Sequence, residues 1–483
     1  MTLRKKYHKL NEIQQDLGNG ILSLRDLVTT YLDRIEETRS TNAYVEVFAE
    51  EALQKAEALD LKRTKQPDQL GKLFGLVVAI KDVICYQDHQ VTAASQILNG
   101  FESLFSATAV ERLIQEDAII IGRVNCDQFG MGSTNENSVY GPVQNGLDAN
   151  RTPGGSSGGS AVAVQTDTCL ISLGSDTGGS VRQPAAFCGI VGFKPTYGRI
   201  SRHGLLAYAS SFDQIGILGH SVEDVAKVLE VIAGPDEYDA TARQEAVPAY
   251  SQATLDRPAK IAFYEAALEH PSLDKEIQEQ SYELIERLRN DGHTVEAVDF
   301  ELIDYLIPAY YVLTTAEASA NLSRYDGIKF AYRSPNAENL TSTYNKSRSE
   351  GFSEEVKRRI MLGTFVLSAG YYDAYYGKAQ KLRRLISNHT NQVFQDYDFI
   401  LMPTAPSTAF ELGAMKDPVE MYLADLYTVM ANLAGIPAIA LPLGQHSDGM
   451  PTGIQLMAAP LNESVLLAFS QSITTNSHKS DIL

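Results

Sequence analysis

Short apolar runs that stop on a glycine or a charge recur along this chain, and they leave it few ways to fold. LFGLVVAIK (Leu73–Lys81), AIIIGRV (Ala118–Val124) and CLISLGS (Cys169–Ser175) each suit one buried strand and are too short for a buried helix. Between the first two, Ala107 to Glu116 carries a helical pattern. The rhythm returns in AKIAFYE (Ala259–Glu265), then in KEIQEQSYELIERLRNDG (Lys275–Gly292), a helix stopped by Gly292, and in FILMPTAP and PAIALPLG. Before all of these, Leu24, Leu27, Val28, Tyr31, Leu32 and Ile35 form one helical stripe, with Ser23 and Asp26 at capping-box spacing. EEALQKAEALD predicts a second helix, and QPDQLGK a turn into the first strand. Residues from about 305 to 388 are dominated by helix-type patterning. Buried strands alternating with helices predict an α/β fold: a central mixed, largely parallel, twisted sheet flanked by helices. No solenoid repeat or low-complexity linker divides the chain, so 1–483 is expected to be a single large domain.

Composition narrows the function classes. The 483 residues are 44% hydrophobic, ordinary for a globular protein, and no stretch approaches the roughly 18 apolar residues of a membrane span. The opening MTLRKKYHKLNEIQQD is basic with no apolar run behind it, which predicts no secretion signal and a cytoplasmic protein. Cys85, Cys126, Cys169 and Cys188 show no CxxC pairing and read as reduced thiols, with no disulfide frame and no zinc site. A net charge of −19 argues against a chain that grips nucleic acid by itself. VKRRI (Val356–Ile360) and RRLISNH (Arg383–His389) are local basic stretches that read first as solvated helix faces.

The chemistry lies in two glycine loops and one lysine. GSDTGGS follows directly on the strand CLISLG, and a strand running into Gly178-Gly179-Ser180 must turn tightly, which glycine tolerates. Such a turn presents Ser180 Oγ before backbone N–H groups from Thr177 to Ser180, the makings of an oxyanion hole. The competing reading makes Ser180 a helix N-cap. The second loop, PGGSSGGS, holds GxSxG centred on both Ser156 and Ser157. It follows the polar, proline-interrupted NGLDANRTP and not a strand, so it is no nucleophile elbow. It also lacks the Lys-Ser/Thr ending of a phosphate-binding P-loop. A serine there suits a relay, since a hydroxyl accepts from one partner while donating to another. Lys81 ends the first apolar run. Burial would lower its pKa and make it a base; a lysine snorkelling to water beside Asp82 is the plainer alternative. The nine histidines form no HxxxH or HExxH pair and none lies in a glycine loop, so no metal site is expected.

Taken together, Lys81, GGSSGGSA and GSDTGGSVRQPAAFCGIVGFKPTYGRIS resemble the amidase signature family, over about residues 71–221. The order Lys-Ser-Ser and the separations of 75 and 24 positions (156 − 81 and 180 − 156) fit as well. The resemblance implies the family's fold, with Lys81 as base, Ser156 as relay on a cis peptide bond and Ser180 as the nucleophile that becomes the acyl-enzyme. Thr177, Gly178 and Gly179 would line the oxyanion hole. FGMGSTNENS, SSFDQIG, GPDEYDAT, VKRRIMLGTFVLSAGYYDAYY, DLYTVMANLAGIPAIALP and PTGIQLMA extend the likeness over nearly the whole chain. They point to the branch that supplies the glutamine-hydrolysing subunits of tRNA-dependent amidotransferases.

That branch implies ammonia passed to a partner subunit, which binds Glu-tRNA(Gln) and amidates it with ATP and magnesium. A third, small subunit would wrap the other two, and no cofactor would reside in this chain. By position, Arg359 (in preference to Arg358) and Asp425 would bind the carboxylate and ammonium of glutamine. The runner-up is a stand-alone amidase acting on a small amide. Val83, Gln128, Gly130 and GILGHS (Gly216–Ser221) depart from the branch's pattern without touching the triad, and Gln128 could not be a charged group in an ammonia channel.

Overall fold

The computed structural model describes residues 5–415 and 417–477, so the first four residues of the basic opening segment lie outside it. Eleven strands join one sheet: β1 (Tyr44–Val47), β2 (Val77–Lys81), β3 (Ile119–Val124), β4 (Ile171–Ser175), β5 (Val191–Lys194), β6 (Ile215–Gly219), β7 (Lys260–Tyr264), β8 (Thr294–Val298), β9 (Phe399–Pro403), β10 (Ala438–Gln445) and β11 (Pro451–Ala458). Their order is β1-β3-β2-β4-β6-β5-β10-β11-β9-β7-β8. Each apolar run read from the sequence supplies a strand. Those nearest the site, β2 to β6, are buried along their whole length.

The mixed α/β sheet is as expected, but its parallel share is smaller. Only β2 with β3 and β4, and β7 with β8 and β9, pair in parallel. The six remaining pairings, including the whole centre of the sheet, are antiparallel. Two causes are visible. β10 and β11 are joined by His446–Met450, closed by a His446 N–H to Met450 carbonyl bond of 2.8 Å, and five residues cannot make a parallel crossover. β6 also inserts between β4 and β5, opposed to both. Strands buried on both faces carry the same apolar run in either direction, so the sequence does not encode this choice.

The helices follow their patterns. The first stripe forms Leu24–Glu37, its N-cap Ser23 accepting the Asp26 N–H. Lys275–Asn290 ends just before Gly292, which takes a left-handed φ of 91°. The helix-rich stretch comprises Leu306–Asn321, Leu340–Gly351, Glu354–Val366 and Lys378–Asp396, and the first of these packs on the third and fourth. No helix among the described residues is long and apolar enough to cross a membrane. All four cysteines are buried and unpaired, as expected.

Candidate active site

Parallel pairing of β2 with β4 brings the C-terminal ends of both strands to the same edge, where α/β sheets hold their ligands. Lys81 closes β2 and Ser175 closes β4. Lys81 is wholly buried and does not snorkel. Its neighbour Asp82 pairs instead with Arg123. Lys81 Nζ donates to Ser156 Oγ at 2.7 Å, Ser157 Oγ at 2.9 Å and Ser175 Oγ at 2.9 Å. An ammonium has three N–H bonds, and three hydroxyl oxygens meet them. Burial lowers this lysine from 10.5 to about 8, against the opposing pull of Cys126, Asp127, Asp176 and Asp213. The sequence marks Ser157 only as the centre of a GxSxG match and gives no sign of Ser175. Ser157 sits in the same loop as Ser156, while Ser175 reaches Lys81 only because β2 and β4 are neighbours.

The Gly155–Ser156 peptide is cis, as the resemblance implied. Ser156 is fully buried, and its carbonyl accepts the Asp127 N–H at 3.1 Å. Ser180 is the one member of the trio with partial exposure. Its carbonyl accepts the Ser157 N–H at 3.1 Å, which ties the two glycine loops together. The first link of the expected relay, Lys81 to Ser156, is thus formed. No hydrogen bond joins Ser156 Oγ to Ser180 Oγ.

Ser180 is not a helix cap. The helix Arg182–Cys188 has Val181 at its N-cap, without a side-chain bond. The orphan N–H groups ahead of it go to the buried carboxylate of Asp176, which accepts Gly179 N–H at 2.9 Å and Val181 N–H at 3.3 Å. Of the three residues expected to line the oxyanion hole, Gly179 thus has its N–H bonded to Asp176. The N–H groups of Thr177, Gly178 and Ser180 have no acceptor among the described residues. Gly179 still has to be glycine: its φ is 127°, and a Cβ there would overlap the Thr428 side chain. At Gly178 a Cβ would overlap the Tyr310 hydroxyl.

Asp176 anchors this loop. Burial alone would raise its carboxyl, but Arg182 bonds it through Nε and Nη2, each at 3.0 Å, and brings it to about 2. Arg182 also reaches Asn432 Oδ1 at 2.7 Å and Gln455 Oε1 at 2.9 Å. Asn432 returns a bond to Asp176 at 2.9 Å. Asp176 and Arg182 stand inside GSDTGGSVRQP, so an acid and a base flanking the turn were the signal available in the sequence.

The expected substrate pair adjoins the loop. Asp425 is buried; Ser133 Oγ donates to its Oδ1 at 2.9 Å and Tyr311 hydroxyl to its Oδ2 at 2.7 Å. Burial raises it to about 6, held back by those two bonds. One turn on, Thr428 Oγ1 donates to the Gly178 carbonyl at 2.6 Å. Arg359 is buried among three tyrosine rings, 5.7 Å from Tyr208, 5.2 Å from Tyr311 and 5.5 Å from Tyr422. Its Nε bonds Glu355 at 2.8 Å and its Nη1 the Tyr208 hydroxyl at 3.1 Å, while Nη2 is buried without a partner. Arg358, by contrast, is an exposed ion pair with Glu355. Gln128 accepts the Ser353 N–H at 2.8 Å and so ties the segment beside Ser156, whose carbonyl accepts the Asp127 N–H, to the start of the helix Glu354–Val366, which carries Arg359.

No sequence spacing suggested a metal site, yet the fold brings His8, Asp167 and His220 together. His8 Nε2 bonds Asp167 Oδ1 at 3.1 Å, His220 Nε2 lies 3.3 Å from the same oxygen, and Lys6 pairs with Oδ2 at 2.6 Å. A lysine on the second oxygen makes this an ion-pair cluster that pins the N-terminal segment.

The amidase family model matches residues 26–467. The A subunit of the glutamyl-tRNA(Gln) amidotransferase of Prosthecochloris aestuarii is 48% identical, over 97% of this chain and 98% of its own. The crystal structure of the corresponding A subunit from Thermotoga maritima superposes with a TM-score of 0.77 at 38% identity, covering 96% of this chain and 94% of that one. A peptide amidase solved with chymostatin reaches 0.81 at 27% identity, covering 97% of each chain. The fold is therefore common to amidases of different substrates, and sequence identity separates the branches. A family match across most of the length, joined to near-half identity over whole chains, places this chain in the amidase family.

Proposed function

We propose that this chain is the glutaminase component of a glutamyl-tRNA(Gln) amidotransferase, working in the cytoplasm within a multi-subunit complex. The observation that carries the reading is 48% identity to a protein of that name across 97% of the chain. The site supports it, with a buried base on a serine beside a cation and an anion suited to an α-amino acid.

In the proposed cycle, neutral Lys81 draws a proton from Ser156, and Ser156 draws one from Ser180. Ser180 Oγ then attacks the glutamine carboxamide carbon. The C–N bond breaks, ammonia leaves with the proton returned along the relay, and water hydrolyses the acyl-serine to glutamate. The free N–H groups of Thr177, Gly178 and Ser180 are the donors we assign to the oxyanion. Arg359 Nη2 would take the α-carboxylate and Asp425 the α-ammonium. Ammonia would pass to a partner subunit that binds Glu-tRNA(Gln) and activates its glutamate with ATP and magnesium. A small third subunit would complete the assembly, and this chain would carry no cofactor.

The test is ammonia release from glutamine by the complex purified from its own cells, with and without ATP and charged tRNA. Stimulation by both supports the reading. Robust hydrolysis by the lone chain, indifferent to both, would make it a stand-alone amidase.

Two outcomes follow for the kinetics. A base must be neutral to act, so kcat/KM should fall about tenfold per pH unit below the lysine's pKa of about 8 and level off above it. A profile flat from pH 6 to 9 would remove Lys81 from that role. Arg359→Met should raise KM for glutamine roughly hundredfold, whereas Arg358→Ala should leave it within a factor of about two. Equal effects at both positions would refute the assignment.

A further inference from the structure

A second recess lies outside this site. A cleft of about 920 Å³ is lined by Arg243, Lys381, Arg383 and Arg384, with Tyr197 and Leu385 among its other walls, and no carboxylate among the described residues lines it. That is unusual on a chain of net charge −19. We propose that this cleft binds a nucleoside phosphate, taken either free or as the end of an RNA strand. The inference goes beyond the glutaminase reading and does not depend on which amide the enzyme cleaves.

The cations differ in how far they are already committed. Arg383 is anchored: its Nε donates to the Leu433 carbonyl at 3.1 Å, and Nη1 and Nη2 reach Ser211 Oγ and carbonyl at 2.9 Å each. It also lies 4.1 Å over the Phe212 ring. Glu317 accepts the N–H of the same Ser211 at 2.9 Å, and its negative charge partly balances Arg383 from behind the wall. Arg383 thus fixes a positive charge in the wall. Lys381 and Arg384 stand one turn apart on the helix Lys378–Asp396, are both exposed, and form no ion pair among the described residues. Arg243, on the facing loop, has its nearest acid, Glu245, only at 3.9 Å.

Lys381 and Arg384 face no acid among the described residues, and with the fixed charge of Arg383 behind them they exceed what a single carboxylate would balance, so the charge calls for a phosphate-bearing ligand. The walls also offer it a ring contact. Tyr197 lines the cleft half-buried, with Arg202 5.3 Å from its ring on one face, and Leu385 leaves an apolar side chain 52% exposed. Stacking surface beside unpaired cations is the combination that holds nucleotides without reading sequence.

The test uses the full-length chain and two fluorescent probes, a labelled ATP and a labelled five-nucleotide single-stranded RNA, followed by anisotropy. At least one should bind saturably, weakening about tenfold or more between 50 and 200 mM salt. The double variant Lys381→Glu/Arg384→Glu should weaken that binding at least tenfold. Lys65→Glu/Lys275→Glu, an equal change of net charge at exposed sites elsewhere, should leave it within about twofold. Thermal melting of both variants establishes that they are folded. Saturable ATP binding alone identifies a free nucleotide as the source, and saturable RNA binding alone an RNA end. Absence of saturation by either probe to 1 mM would overturn the proposal. So would equal losses in the two double variants.

Discussion

Ser180→Ala is expected to lower ammonia release from glutamine by roughly 10⁴-fold or more, since removing a nucleophile leaves only the contributions of binding and of the oxyanion donors. The variant should fold normally. Ser180 makes no side-chain bond that the loop needs, because Asp176, Arg182 and Asn432 hold the turn independently of it. The complex should therefore still amidate Glu-tRNA(Gln) when free ammonia is supplied. Retained glutaminase activity would mean that another group attacks the amide. Loss of ammonia-dependent amidation would mean that the assembly had failed.

Lys81→Met should cost nearly as much, roughly 10³-fold or more, because Ser156 and Ser180 then have no base to receive a proton. Methionine keeps most of the volume at a fully buried position, so a collapse of packing is not expected to explain the loss. Lys81→Arg should not restore activity, since a guanidinium stays protonated throughout the working pH range. The residual rate of Lys81→Met should also lose its dependence on a group titrating near pH 8. A variant that kept the original pH profile would show that the profile reports something else.

Much of the site was legible because it is local. Ser156 and Ser180 lie in loops whose glycines announce a tight turn, and Lys81 closes a run that can only be a buried strand. What escaped depends on contacts between distant segments. Ser175 meets Lys81 through strand pairing, and Ser133 and Tyr311 meet on Asp425 from either side of it in the fold. The commitment of the Gly179 N–H to Asp176 is local yet still hidden, because sequence shows where a carboxylate is and not where it points. Arg359 and Arg358 are adjacent in an ordinary helix. Only burial among Tyr208, Tyr311 and Tyr422 separates them. Strand direction was illegible for a different reason, since two-sided burial erases the alternation that would betray it.

The anchoring of the Ser180 loop has a consequence for the protein's life before it is complete. Lys81, Ser156 and Ser180 all belong to the N-terminal half, but the turn that arms them is held from the far end of the chain. Thr428 grips the Gly178 carbonyl, Asn432 and Gln455 complete the Arg182–Asp176 cluster, and β10 closes against β5. Synthesis delivers the N-terminal part first. A nascent or truncated chain ending before Thr428 therefore contains every reacting side chain and the local Asp176–Arg182 pair, without the distant contacts that complete the frame. A chain truncated before Thr428 is therefore expected to release no ammonia from glutamine, and a truncation that kept full activity would show that the C-terminal contacts are dispensable.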